Sequence, residues 1–219
     1  MLRKLFWPCF ALALIMFATA PLLIARAPFE ATMGLVQKIF YYHMPSAVMM
    51  LMAALCCGLA SAVFLFKRKQ GADWVAVASA ELAVAFGLIA LVTGPLWARK
   101  AWGVWWQWDA RLTSTLVMWM VFVAYLLLRR FGGPGSDRLG AALALFGMAN
   151  VPFVYWSVNF WRTLHPTTNV VFSLAPSMRP ALFWSLGAFA LLFVVLLAAR
   201  VRLEEQSARL DALYLALDD

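Results

Sequence analysis

The chain has 219 residues, of which 65% are hydrophobic and 13% charged, with a net charge of +8. An average soluble domain is about 45–50% apolar and about 25% charged, so an ordinary soluble globular protein is excluded. A helix that crosses a membrane needs ~20 mostly apolar residues. Six such runs are present: Leu5–Ala25, Met44–Phe66, Trp74–Trp97, Leu112–Leu128, Leu139–Trp156 and Ala181–Ala199. Their apolar residues are continuous, not alternating, which excludes a transmembrane barrel. The expected fold is all-α: a polytopic integral membrane protein of six transmembrane helices over residues 1–200, with a tail over 201–219.

The first run follows Arg3 and Lys4 and contains Ala18-Thr19-Ala20, which has the look of a signal-peptide cleavage site. The apolar stretch continues through Leu22-Leu23-Ile24, and Pro21 disfavours cleavage, so a retained helix is expected. In the second run Ala54, Gly58 and Ala62 recur every four positions and predict a close helix contact. The third run holds Glu81. An acid within a span is functional by default, but a paired carboxyl joining two helices, or meeting a partner subunit, is the simpler reading. Asn150 and Pro152 interrupt the fifth run, where a kink is expected. Beyond the sixth run, Leu203, Leu210, Leu213, Tyr214 and Leu217 follow helical spacing. They read as an amphipathic helix lying on the inner face or on a partner, or else as a frayed tail.

Orientation follows the distribution of Lys and Arg. With the N-terminus inside, the inner segments hold 11 basic residues and the outer loops 7, so both termini are expected in the cytoplasm. This asymmetry and the anionic lipid surface account for much of the charge, and no nucleic-acid partner is implied. The outer loops, 26–43, 98–111 and 157–180, are long and contain the unusual residues. Cys9, Cys56 and Cys57 fall within the runs and read as small buried apolar residues. The absence of Cys-x-x-Cys-His excludes a covalent c-type haem attachment.

Five of the 11 tryptophans lie between positions 97 and 108. An aromatic belt at the membrane interface explains one or two of them, not five on one loop. If the loop is helical, Trp102, Trp105, Trp106 and Asp109 share a face. They would then form an aromatic shelf, with Gly103 permitting close approach and Asp109 and Arg111 at its end. Such a shelf suits a large planar apolar ligand.

The only two histidines, His43 and His165, fall on the same predicted side, each beside aromatics and a proline. They read as hydrogen-bonded interfacial residues or as a pair of axial ligands to a haem iron. In the second case Arg99, Lys100, Arg111, Arg162 and Arg179 are available to pair with propionates. The residues alone leave both readings open.

The run Trp102-Gly103-Val104-Trp105-Trp106-Gln107-Trp108-Asp109-Ala110-Arg111-Leu112-Thr113-Ser114 resembles the tryptophan-rich WWD signature of haem-handling proteins in cytochrome c maturation. Six spans in about 220 residues, together with Tyr41-Tyr42-His43-Met44-Pro45-Ser46-Ala47 and Ser157-Val158-Asn159-Phe160-Trp161-Arg162-Thr163-Leu164-His165, resemble the haem exporter protein C (CcmC) family. The resemblance implies a non-enzymatic subunit in the bacterial inner membrane whose functional loops face the periplasm. It implies non-covalent haem b with His43 and His165 as axial iron ligands. Trp102, Trp105, Trp106, Trp108 and Asp109 would form the platform, with Arg111 beside it. The implied partners are a CcmE-type haem chaperone, a CcmA-type ATPase, a CcmB-type membrane subunit and a small CcmD-type subunit. The chain has no glycine-lysine phosphate loop and cannot itself be the ATPase. Two other functions fit the composition: a transporter that moves haem across the bilayer, and a b-type electron-transfer cytochrome. Sparse polar lining in the spans weighs against the first. Histidines at span ends, not within the hydrocarbon, weigh against the second.

Overall fold

A computed structural model describes residues 2–167 and 170–218. The described residues form seven α-helices: α1 (Leu2–Arg26), α2 (Phe40–Lys67), α3 (Gln70–Trp102), α4 (Ala110–Phe131), α5 (Ser136–Phe160), the single turn α6 (Val170–Ser173) and α7 (Arg179–Asp218). Six of them are long and apolar enough to cross a membrane, and each predicted run lies within one. This is a multi-pass helical membrane protein. A chain in hydrocarbon must satisfy its backbone hydrogen bonds internally, so each apolar run closes on itself as a helix.

The helices outrun the apolar runs, because a run marks only the part buried in hydrocarbon while the helix continues to its cap. α2 ends where Arg68 adopts the left-handed conformation (φ 52°) and its N–H returns to the Phe64 carbonyl. α3 reaches Trp102 and stops at Gly103 (φ 76°). α4 starts at Asp109, whose carboxylate accepts the Leu112 N–H at 2.8 Å as an N-cap. α5 runs on through Pro152 to Phe160. The tail is no separate surface helix. It continues α7 over 40 residues, or ~60 Å at 1.5 Å per residue, twice the ~30 Å hydrocarbon thickness. Leu203, Leu210, Leu213, Tyr214 and Leu217 on this extension are exposed.

α2 and α3 pack together at the centre. α4 and α5 flank them on one side, α7 on another, and α1 lies along α7. Small residues bring the central pair together: Ala53, Ala54, Cys57 and Ser61 of α2 and Ala78, Ala80 and Ala83 of α3 are buried. In a membrane such contacts rest on van der Waals packing, which close backbone approach improves. A Cβ at Gly58 would lie 2.4 Å from Met148 Cβ of α5, so the predicted close contact is the α2–α5 crossing. Gly58→Leu is expected to destabilise the fold by at least the ~1–3 kcal/mol of an overpacked core. Unfolding in denaturing detergent checks this, with Leu59→Ala on the exposed face as control.

Two ion pairs tie the bundle. Glu81 of α3 is a paired carboxylate: it accepts from Arg200 of α7 at 2.6 Å, and Arg200 also holds Glu204 at 2.8 Å. Asp73 of α3 and Arg129 of α4 pair at 2.6 Å with Asp73 almost wholly buried. This pair lies at the end of the bundle opposite the two histidines. The three cysteines are free thiols.

Candidate functional site

His43 does not lie in a loop. α2 begins three residues before it, so the ring projects from the first turn into the crevice between α2 and α3. There Thr93 and Gly94 of α3 receive it. His43 Nδ1 lies 2.9 Å from Thr93 Oγ1, and that hydroxyl donates its proton to the Ile89 carbonyl at 2.6 Å. With its proton so committed, Thr93 can only accept, so Nδ1 carries the imidazole hydrogen and Nε2 keeps its lone pair. A Cβ at position 94 would sit 3.2 Å from His43 Cε1, so glycine leaves room for the ring. The imidazole also packs against Trp97, with ring centroids 6.1 Å apart.

His165 lies between α5 and α6. Its Nδ1 is 2.8 Å from the Pro166 carbonyl. A carbonyl accepts only, so this ring too carries its proton on Nδ1 and leaves Nε2 as a lone pair. Burial, and then the Arg111 guanidinium, lower its pKa to about 4. At neutral pH His165 is therefore an uncharged imidazole, the form that binds a metal.

Both histidines line one cavity of about 70 Å³, well below the ~300–1,000 Å³ usual for small-molecule sites, so a larger ligand requires its walls to move apart. Its walls are mainly apolar: Met50, Leu51, Leu91, Trp97, Trp102, Trp106, Leu112 and Val154 among others. One cation enters it, Arg111, in the first turn of α4. Arg111 Nη1 donates to the Val154 and Tyr155 carbonyls near the end of α5, which aims the side chain across the cavity. Of the basic residues considered above, Arg111 alone is a lining residue. Trp106 Nε1 is buried and has no hydrogen-bond partner among the described residues, a free donor in the cavity wall.

The tryptophan loop is not helical. Residues 103–109 form an irregular segment between the Gly103 terminus of α3 and the Asp109 cap of α4. The expected shared face therefore does not form. Trp102 and Trp106 line the cavity, while Trp105 and Trp108 are 58% and 75% exposed. Trp97, near the end of α3, also lines the wall. Asp109 is occupied as a cap. Its second carboxylate oxygen accepts from the Thr163 hydroxyl, which in turn accepts the His165 N–H at 3.0 Å.

Thr93, Gly94, Trp97 and Thr163 were not among the predicted site residues. Thr93 and Gly94 had a signal, a polar residue and a glycine next to Pro95 in an otherwise apolar run. Thr163 had one too, a hydroxyl residue two positions before a histidine, the spacing of a local side-chain-to-backbone turn. Thr93→Val keeps the shape but leaves His43 Nδ1–H without its acceptor. Were His43 a metal ligand, the change would be expected to weaken binding of an iron porphyrin by about 10–100-fold, the usual cost of removing an outer partner of a metal-binding histidine. Titration of the purified protein, followed by absorption, measures this.

No group of three or more His, Cys, Asp or Glu that could hold a metal ion occurs among the described residues. Two imidazoles are too few for a bare structural ion such as zinc, which takes four ligands. A family model described as "Heme exporter protein C" (CcmC) matches residues 1–213. The chain is 36% identical over 183 residues to heme exporter protein C of Escherichia coli (strain K12), covering 80% of this chain and 73% of that one. It is 36% identical over 195 residues to the Bradyrhizobium diazoefficiens protein of the same name, covering 86% and 74%. A ccmC-like mitochondrial protein of cytochrome c biosynthesis from Marchantia polymorpha is 32% identical over 144 residues, covering 66% and 61%. With six spanning helices and a match along nearly its whole length, the chain belongs to the heme exporter protein C family, the haem-handling CcmC proteins of cytochrome c biogenesis.

Proposed function

We propose that this protein holds haem b non-covalently in the His43–His165 cavity and passes it to a CcmE-type haem chaperone. The haem is cargo, and the chain performs no covalent chemistry on it. His43 and His165 are the axial ligands. Arg111 offers its charge to a propionate, and Trp102 and Trp106 meet the porphyrin. Trp105 and Trp108, exposed on the same loop, are left to meet the incoming chaperone.

The observation that carries this reading is the pair of imidazoles in one cavity, each with Nδ1–H committed to an acceptor and Nε2 open. An apolar wall, a single cation and an unpaired indole N–H also fit a largely apolar macrocycle with acidic side chains. The excess of basic residues on the other side of the predicted spans supports placing this cavity on the periplasmic face of the bacterial inner membrane. A CcmA-type ATPase, a CcmB-type membrane subunit and a small CcmD-type subunit complete the proposed assembly.

The test uses the full chain reconstituted in lipid vesicles and titrated with ferric haem. A low-spin, six-coordinate absorption spectrum is expected at one haem per chain. Haem should then move to a soluble CcmE-type domain added outside. No saturable six-coordinate species, or haem that stays on the chain in the chaperone's presence, overturns the proposal. Sustained reduction and reoxidation with a quinol would instead favour an electron-transfer cytochrome.

A further inference from the structure

We infer that Thr163 and Asp109 are positioning residues which hold His165 opposite His43. This inference rests on the haem-binding reading above. His43 needs no such device, because α2 carries it. His165 is in a different position, within residues 161–167 beyond the end of α5, which have no regular secondary structure. The backbone there must be fixed by side chains if the imidazole is to meet a metal at a defined place.

The fixing bonds form a chain with one possible direction. The carboxylate of Asp109 accepts only, so the Thr163 hydroxyl proton goes to it. Thr163 Oγ1 in turn accepts the His165 N–H at 3.0 Å. At the far end, the other oxygen of Asp109 accepts the Leu112 N–H at 2.8 Å. The position of the carboxylate is thereby set by the N-terminus of α4. Two residues on, Arg111 holds the Val154 and Tyr155 carbonyls of α5. The first turn of α4 thus clamps the segment on both sides: α5, from which it leaves, and His165 itself. The aspartate that ends the tryptophan motif works on haem through His165, and the segment it grips lies 54 residues away in the chain.

The experiment compares wild type, Thr163→Val, Thr163→Ser, Asp109→Asn and His165→Ala as purified full-length proteins. Two readouts are used: absorption during titration with ferric haem, and hydrogen exchange at the His165 amide without haem. Thr163→Val should lower haem affinity about 10–100-fold. It should also give a partly five-coordinate spectrum that added imidazole returns to six-coordinate, and speed exchange at the His165 amide. Thr163→Ser keeps the hydroxyl and should match wild type in all three respects. Asp109→Asn should fall between. Wild-type spectrum and amide protection in Thr163→Val would overturn the clamp, as would a Thr163→Ser variant as defective as Thr163→Val. The failure of the ligand reading looks different. An unchanged six-coordinate spectrum in His165→Ala would remove His165 as a ligand, while the exchange measurement would still decide whether the clamp holds the segment.

Discussion

Replacing His43 by alanine is expected to lower haem affinity by at least about 100-fold, more than loss of an outer partner such as Thr93 costs. The spectrum should change from six- to five-coordinate. His165→Ala should do the same by the same argument, but the two variants should respond differently to added imidazole. The His43 ring fills a crevice closed by Trp97 on one side and Gly94 on the other. Its removal leaves an imidazole-shaped space, with the Thr93 hydroxyl still in place to accept an N–H. Imidazole should therefore rescue His43→Ala at lower concentration than it rescues His165→Ala, where the binding partner was a carbonyl on a non-helical segment. Absorption titrations of both variants with and without imidazole measure this order. An unchanged six-coordinate spectrum in His43→Ala would mean that another side chain supplies that ligand.

Asp73→Ala is expected to destabilise the bundle by about 3–5 kcal/mol, the usual cost of leaving a buried charge without its partner. Arg129 is mostly buried, and its Nη1 already lacks a hydrogen bond among the described residues. Its Nη2 bond to Asp73 is then the main compensation for its burial. The double variant Asp73→Leu with Arg129→Met should recover most of the loss, because apolar side chains of similar size do not carry the desolvation cost. Unfolding of wild type, Asp73→Leu, Arg129→Met and the double variant in denaturing detergent gives the coupling. Additive single effects would show that the pair contributes little. Since this pair sits at the opposite end of the bundle from the cavity, haem affinity per folded molecule should stay at the wild-type level in the double variant.

The readings that survived without change are those a single helix determines. Six runs became six spanning helices because hydrocarbon offers no external partner for backbone N–H and C=O groups. The Gly58 contact follows from a repeat of small residues on one helix, and only the neighbouring helix, α5, had to be supplied. Glu81 as a paired carboxylate was legible because an acid in an apolar run needs a counter-charge. The identity of that charge, Arg200, lies 119 residues away. The Trp loop has no such regularity. Its ends are a left-handed glycine and an N-capping aspartate. Such a segment has no period, so the residues facing the cavity cannot be counted off. The tail departs in the other direction. Its spacing is helical as expected, but the joining residues near Arg200 also favour helix, and nothing there breaks α7.

By itself, the sequence determined that this is a six-span helical membrane protein. It also pointed to both histidines and the tryptophan motif, with Arg111 among five basic residues, as candidate site residues. These conclusions depend on composition, length and residue type, all local properties. Tertiary structure alone decided which of them share a cavity and in what state. It brought Thr93 to His43 and Thr163 to Asp109, and thereby set the tautomer of one imidazole and the backbone position of the other. It turned Trp102 and Trp106 inward and left Trp105 and Trp108 exposed. Each of these outcomes depends on a contact between segments 50 or more residues apart, or on the path of an irregular loop. Neither leaves a periodic trace in the chain.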